Sequence, residues 1–170
     1  IYVTGNLGDS YLGLKALSNK VKFKNKDKLF FVDKYYKPEL PLNLTKYLLK
    51  FANSSIDVSD GLIDDLAKMI NRQSLSFHLF ENKIPVSNKL SNLIKKQRLN
   101  KINLISNGDD YQVLFTADIK KARIIQKASK TTGIKITKIG KIVSGKDRSL
   151  IFDEKGKQIR AKSKGYIHRF

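Results

Sequence analysis

Hydrophobic and polar positions along the chain follow two different periods. In residues 54–59 the pattern alternates, with Ile56 and Val58 on one side and polar residues on the other, which predicts a strand. Directly afterwards, apolar residues recur at helical spacing between Leu62 and Ile70. The pattern therefore predicts a strand, a short turn and a helix, with residues 57–61 at the corner between them.

The rest of the chain alternates between strand and helix patterns in the same way. Further strands are predicted at residues 1–4, 74–80, 111–116, 135–143 and 149–160. Further helices are predicted at residues 10–18, 43–52, 86–97 and 118–131. Asp9 or Ser10 is the expected cap of the first helix, Asp118 caps the last, and residues 20–28 are expected to be a connector before the apolar run 29–32. Because the last strands come as hairpins, we predict one α/β domain with a mixed sheet.

The composition fits a folded domain with a strong positive charge. The chain has 170 residues, of which 41% are hydrophobic, and 34 Lys and Arg against 15 Asp and Glu give a net charge of +19. The basic residues are spread along the chain and aromatic interleaving is thin, so a compositional bias explains them as well as a nucleic-acid surface does. A basic binding module remains an alternative on this charge alone.

The sequence excludes cysteine-based sites and membrane-spanning segments, and it offers no pattern for a histidine-based catalytic or zinc site. There is no Cys, which rules out disulfides, thiolate metal sites and a cysteine nucleophile. Neither His78 nor His168 lies in a pattern typical of a catalytic triad or a zinc site. No apolar run approaches the ~18–20 residues of a membrane span. The chain begins with Ile and enters a strand at once, as expected for a segment of a longer protein.

Acidic residues are concentrated at the predicted strand-to-helix corner. Four of the 15 acids, Asp57, Asp60, Asp64 and Asp65, lie within nine residues. The first two could share a Mg²⁺ ion, which usually takes one or two protein carboxylates and leaves other positions to water and phosphate. The Ser59 hydroxyl and the helix N-terminus would add donors for phosphate. Asp60 could equally be a helix cap, whereas Asp64 and Asp65 are predicted to be solvated acids of the first helical turn.

A second acidic pair, Asp109 and Asp110, precedes the apolar strand at residues 113–115. The preceding Asn107-Gly108 is explained by a turn, but adjacent acids before a strand are unexpected. One of them could orient a ligand while the other bonds its own turn, and the sequence does not decide which.

The segments that carry these acids resemble motifs of the thiamine-monophosphate kinases. The matching segments, in the order of the family, are residues 3–14, 35–38, 56–62, 106–115 and 165–170. Ile-Asp-Val-Ser-Asp-Gly-Leu at 56–62 is similar to the family's Ile-Asp-Ile-Ser-Asp-Gly-Leu, and 106–115 is similar to Ser-Gly-Gly-Glu-Asp-Tyr-Glu-Leu-Leu-Phe.

This resemblance implies a fold and an activity. The fold would be a layered α/β/α arrangement, the C-terminal domain of the aminoimidazole-ribonucleotide-synthetase-like (AIR-synthetase-like) superfamily, filling residues 1–170. The activity would be a cytoplasmic kinase that transfers the γ-phosphoryl group of ATP to thiamine monophosphate. An N-terminal domain with most ATP contacts, further Mg²⁺-binding aspartates and the homodimer surface would be absent from this chain, leaving it inactive alone. No nucleic-acid or membrane partner is implied.

The resemblance also assigns residues by position. Asp57 and Asp60 would bind Mg²⁺, Ser59 would contact ATP, and Asp109 and Tyr166 would lie at the thiamine-phosphate site. No covalent nucleophile or catalytic base is implied. The sequence departs from the family at Asp109 (Glu in the family), at residue 107 (Gly in the family) and after Tyr166, which weakens the substrate assignment most. Another ATP-dependent enzyme of the same superfamily, of the purine-biosynthetic or selenophosphate type, is therefore a further alternative.

Overall fold

A computed structural model describes residues 1–21, 23, 25–70 and 73–161. The strands are β1 Tyr2–Thr4, β2 Ser54–Asp57, β3 Leu75–Phe80, β4 Val113–Thr116, β5 Ile136–Lys138, β6 Gly140–Ser144, β7 Leu150–Phe152 and β8 Gln158–Ile159. The α-helices are α1 Asp9–Leu17, α2 Asn25–Tyr36, α3 Thr45–Leu48, α4 Leu62–Met69, α5 Asn88–Gln97, α6 Lys101–Ile105 and α7 Ala122–Thr132. Short 3₁₀ turns lie at Leu42–Leu44, Glu81–Lys83 and Ile119–Lys121.

The strands form two four-stranded sheets. The first has the order β2-β4-β1-β5 and every neighbouring pair in it is antiparallel. The second has the order β6-β3-β7-β8 and is mixed, because β3 and β7 run parallel while the other pairs are antiparallel. The predicted α/β class and mixed sheet are confirmed, with the strands divided between two sheets.

One hydrophobic core joins both sheets to helix α4. Leu62 and Leu66 of α4 are fully buried in the same cluster as Val3 and Leu114 of the first sheet and Leu79 of the second. Burial of a leucine side chain stabilises the fold by roughly 1.5–3 kcal/mol. The core therefore fixes where α4 begins, and with it the turn that connects β2 to α4.

Some elements differ from the sequence-based expectations. The apolar run 29–32 belongs to helix α2, where Phe31 is fully buried in one cluster with Leu12 of α1. The helix predicted at 43–52 is reduced to a 3₁₀ turn and the four residues of α3. The predicted helix end at residue 97 is confirmed, but α6 follows it as a separate helix.

Helix α7 ends at the glycine that its sequence predicts, but it begins at Ala122, after a 3₁₀ turn, rather than directly after Asp118. The Asp118 carboxylate accepts a hydrogen bond from the Lys120 backbone N–H at 2.7 Å, at the start of the 3₁₀ turn that leads into α7. Gly133 follows the helix with φ 71°, a left-handed conformation that glycine adopts without strain. Within the part of the chain that the structure describes, no helix combines the length and apolar character needed to cross a membrane.

Candidate functional site

The turn after β2 and the loop before β4 are joined through their backbones. The Asp109 N–H donates to the Ser59 carbonyl at 2.9 Å, and the Tyr111 N–H donates to the Val58 carbonyl at 2.9 Å. These bonds extend the antiparallel pairing of β2 with β4 beyond the sheet edge. As a result, the two acid-bearing segments predicted from the sequence lie against each other.

Two glycines permit this close approach. A Cβ atom on Gly108 would lie 1.6 Å from the Ser59 carbonyl oxygen. One on Gly61 would lie 2.4 Å from the Ser106 carbonyl oxygen, and Gly61 also has φ 124°. Because both obstacles are backbone atoms, a side chain at either position would force the segments apart.

The charges of Asp57, Asp60 and Asp109 act on one another or on Tyr111. Asp57 is exposed at the end of β2. The pKa of Tyr111 is raised mainly by desolvation, then by Asp109, and to a smaller extent by the charge of Asp57. Burial raises the pKa of Asp109, and the negative charge of Asp60 adds to that effect. Ser59 is half-buried in the turn between Asp57 and Asp60.

Tyr111 is a site residue that the sequence reasoning missed. Its side chain is hydrogen-bonded to the Asp109 carboxylate, which opposes the rise in the pKa of Asp109. Asp109 and Tyr111 have φ 69° and 50°, the left-handed region that costs non-glycine residues about 1–3 kcal/mol. An aromatic residue directly after two acids and before a strand was the available signal.

Asp65 is buried, so the prediction that it is a solvated acid is wrong. One of its carboxylate oxygens accepts hydrogen bonds from the backbone N–H groups of Ser59, Asp60 and Gly61, each at 3.0 Å. Burial raises the pKa of Asp65, while the amides of Gly61 and Asp60 and the charge of Lys68 oppose that rise. The three turn amides are thus already used and are not donors for a phosphate.

Lys68 places a positive charge among the acids of this segment. Its ammonium group pairs with Asp60, with Asp64 at 2.7 Å and with Asp65 at 3.4 Å. These partners raise the pKa of Lys68, the hydrogen bond to Asp60 most of all. Among the described residues, Asp60, Asp64 and Asp65 form a cluster whose ligand oxygens lie within 4.8 Å of one another, and Asp57 is not part of it.

Oxygen ligands for a divalent cation are present on this segment, but Asp57 lies outside the cluster that Asp60 forms with Asp64 and Asp65. Carboxylate oxygens are the ligands that Mg²⁺ prefers, and Asp57 and Asp60 are accessible enough to offer one each. The ammonium group of Lys68, whose side chain is 45% exposed, pairs with Asp60, so a metal ion bound there would have to displace it.

Asp110 has a different role from Asp109. It is buried and accepts hydrogen bonds from the Gly8 N–H at 2.7 Å and the Ser10 N–H at 3.4 Å, at the start of α1. The cap predicted from Asp9 or Ser10 is therefore wrong, since a carboxylate distant in sequence serves this helix end. Burial raises the pKa of Asp110 to about 8. The hydrogen bond from the Gly8 amide lowers this pKa, and the negative charge of Asp9 raises it further.

The first ten residues are tied to the loop before β4 by further bonds. Thr4 Oγ1 donates to Gln112 Oε1 at 2.8 Å and accepts from the Val113 N–H at 2.8 Å. Asp9 is buried and accepts a hydrogen bond from Ser87 Oγ at 2.7 Å, and burial raises the pKa of Asp9 to about 6. The glycine turn at residues 4–10 thus supports the Asp109 loop, in line with a structural role. Tyr166 lies outside the described residues.

Comparisons with known proteins show relatives of this chain in sequence and in structure. No protein-family model matches the chain. The thiamine-monophosphate kinase of Buchnera aphidicola subsp. Schizaphis graminum is 35% identical over 170 residues, covering 99% of this chain and 52% of that protein. The crystal structure of thiamine monophosphate kinase from Aquifex aeolicus matches with a TM-score of 0.72 and 28% identity, covering 93% of this chain and 50% of that one.

A structure of AaThiL complexed with AMPPCP and TMP matches with a TM-score of 0.75 and 28% identity over 99% of this chain and 50% of that one. The fold class implied by the sequence motifs is therefore confirmed. The chain spans about half the length of the curated relatives it matches. Over nearly all of its residues, the chain is similar to about half the length of the thiamine-monophosphate kinases it matches.

Proposed function

We propose that the chain is the C-terminal part of an ATP- and Mg²⁺-dependent kinase that converts thiamine monophosphate to thiamine diphosphate. The observation that carries the proposal is the backbone junction between residues 58–61 and 106–111, the two acidic motifs shared with the family. The similarity to thiamine-monophosphate kinases, one of which is solved with AMPPCP and TMP, supports the same reaction class.

Asp57, Asp60 and Ser59 form the nucleotide side of the site in this proposal. Asp57 and Asp60 hold Mg²⁺ through carboxylate oxygens, and Ser59 contacts ATP. When bound, Mg²⁺ neutralises charge on the phosphate oxygens during phosphoryl transfer. The side chains reach the ligand from a turn whose own backbone amides are occupied by Asp65, so the turn presents oxygen atoms rather than N–H donors.

Asp109 and Tyr166 form the thiamine-phosphate side. Asp109 is held in place by its backbone bond to Ser59 and by the Tyr111 side chain. A carboxylate in this position suits the cationic ring of thiamine. The shorter reach of Asp109 compared with the family's Glu is expected to weaken substrate binding more than metal binding.

The transfer itself needs no covalent enzyme intermediate. The terminal phosphate oxygen of thiamine monophosphate attacks the γ-phosphorus of ATP, the bond to the β-phosphate oxygen breaks, and ADP leaves. Positioning and charge neutralisation supply the rate enhancement. The remaining ATP contacts, further Mg²⁺-binding aspartates and a homodimer surface come from an N-terminal domain, and the enzyme works in the cytoplasm.

The test supplies the N-terminal half of a family member, in trans or as a fusion, and measures thiamine diphosphate formation with Mg·ATP. We expect activity to appear on complementation and Asp57→Asn to lower it strongly. Glu154→Gln removes an equal charge from an exposed turn and is the matched control. If the complemented enzyme stays inactive and Asp57→Asn leaves Mg²⁺ and nucleotide binding unchanged, the metal assignment is wrong. Calorimetry with other phosphorylated ligands would separate thiamine monophosphate from the substrates of related superfamily enzymes.

A further inference from the structure

The buried carboxylate of Asp65 occupies a concave turn that would otherwise bind an anion. Three successive backbone N–H groups, those of Ser59, Asp60 and Gly61, converge on one oxygen of Asp65 at 3.0 Å each. Successive converging amides commonly form anion-binding concavities in proteins. Here the anion is a side chain of the same chain, and it is 1% exposed.

Helix α4 holds this carboxylate rigidly in place. Asp65 lies in the first turn of α4, between Leu62 and Leu66, which are both fully buried in the main core. Any shift of Asp65 relative to the turn would therefore require movement of the core. The turn at residues 59–61 also supports the acidic segment at residues 106–111, because the Ser59 carbonyl accepts a hydrogen bond from the Asp109 N–H.

We propose that Asp65 is the positioning residue of the magnesium site. It fixes the backbone of residues 59–61 so that the Ser59 and Asp60 side chains are directed to the ligand, and it fills the amide concavity with negative charge. The segment consequently selects a cation over a phosphate. This inference rests on the proposed function, since it concerns the same metal site.

Asp64 provides a matched control for the effect of charge. It neighbours Asp65 in sequence, carries the same charge and pairs with the same Lys68, but its side chain is 32% exposed. If Asp65 acted through its charge alone, removing either carboxylate would have a similar effect on Mg²⁺ binding. Asp65→Glu makes the complementary change, because it retains the charge but displaces it by one methylene.

The experiment combines Mg²⁺ titration calorimetry with amide hydrogen exchange by NMR on the 170-residue chain. For Asp65→Asn and Asp65→Glu we expect exchange at residues 59–61 to accelerate, and Mg²⁺ affinity to fall about 10-fold, as for other outer-shell partners of metal ligands. For Asp64→Asn we expect unchanged exchange at those amides and a smaller loss of affinity. Equal loss in Asp65→Glu and Asp64→Asn, or wild-type affinity in Asp65→Glu, would overturn the inference while leaving the metal site intact.

The wild-type chain alone also tests the role of Asp65, so the test does not depend on whether the Asp65 variants fold. Its amide protons at residues 59–61 should exchange as slowly as those of α4, and inorganic phosphate should leave their chemical shifts unchanged. Fast exchange or a phosphate-dependent shift would refute the role of Asp65. A wild-type chain that binds no Mg²⁺ would instead overturn the proposed metal site itself, and this role with it.

Discussion

Gly108→Ala tests the junction between the two acidic segments most directly. The added Cβ would lie 1.6 Å from the Ser59 carbonyl oxygen, 2.4 Å from its carbonyl carbon and 2.9 Å from the Asp60 Cα. Since carbon contacts are ordinarily about 3.5 Å or longer, the segments must separate by about 2 Å. None of these atoms belongs to a flexible side chain that could rotate away.

The cost of that separation can be worked from the bonds it breaks. The Asp109–Ser59 hydrogen bond is lost at a net cost of about 1 kcal/mol, and the Tyr111–Val58 bond beside it weakens. Strain from the extra methyl in a packed region adds about 1–3 kcal/mol. We therefore expect the free energy of unfolding to fall by about 2–4 kcal/mol, together with a loss of Mg²⁺ affinity.

Urea denaturation followed by circular dichroism measures the first effect, and calorimetry the second. Gly133→Ala is the control, because its Cβ would meet no atom within 4 Å although its φ is 71°. That variant should lose stability through backbone strain alone, by about 1 kcal/mol, and keep its Mg²⁺ affinity. A Gly108→Ala protein as stable as Gly133→Ala, with unchanged Mg²⁺ affinity, would refute the reasoning.

Three further changes follow from the electrostatics of the site. Lys68→Met should raise Mg²⁺ affinity several-fold in calorimetry, because the ammonium group competes for the Asp60 carboxylate, and an unchanged affinity would contradict that competition. Asp110→Asn should flatten the pH dependence of stability between about pH 4 and pH 8. Burial raises the folded pKa of Asp110 to about 8, so between about pH 4 and pH 8 the folded state holds a proton that the unfolded state has lost. The free energy of unfolding therefore falls as pH rises through that window, and parallel urea titrations of both proteins would show an equal slope if this is wrong. Tyr111→Phe should raise the pKa of Asp109 further, by removing a hydrogen bond to the charged form, and NMR titration of the Asp109 carboxyl group measures it.

The strand-to-helix corner at residues 54–70 was predictable because its determinants are local. Alternation of Ile56 and Val58 and the helical spacing after Leu62 both arise within a few residues, and the structure follows them closely. The motifs at 56–62 and 106–115 also pointed correctly to two acidic segments of one family.

The roles of Asp65 and Asp110 could not be predicted because they depend on tertiary contacts. An acid in the first turn of a helix is ordinarily solvated, and only the path of the preceding turn places three amides on Asp65. The partner of Asp110 is Gly8, 102 residues away. The division of strands into two sheets has the same origin, since β1 pairs with β4 and β5 from the far end of the chain.

The bond between Gly8 and Asp110 also bears on when the site forms during folding. It closes a loop of 102 residues, and the Thr4–Gln112 bond closes one of 108. Contacts of such long range are entropically costly and tend to slow folding. During synthesis the acidic turn at residues 57–61 emerges long before the segment that completes it. The junction between the two acidic segments can therefore form only after residues 106–111 have been synthesised.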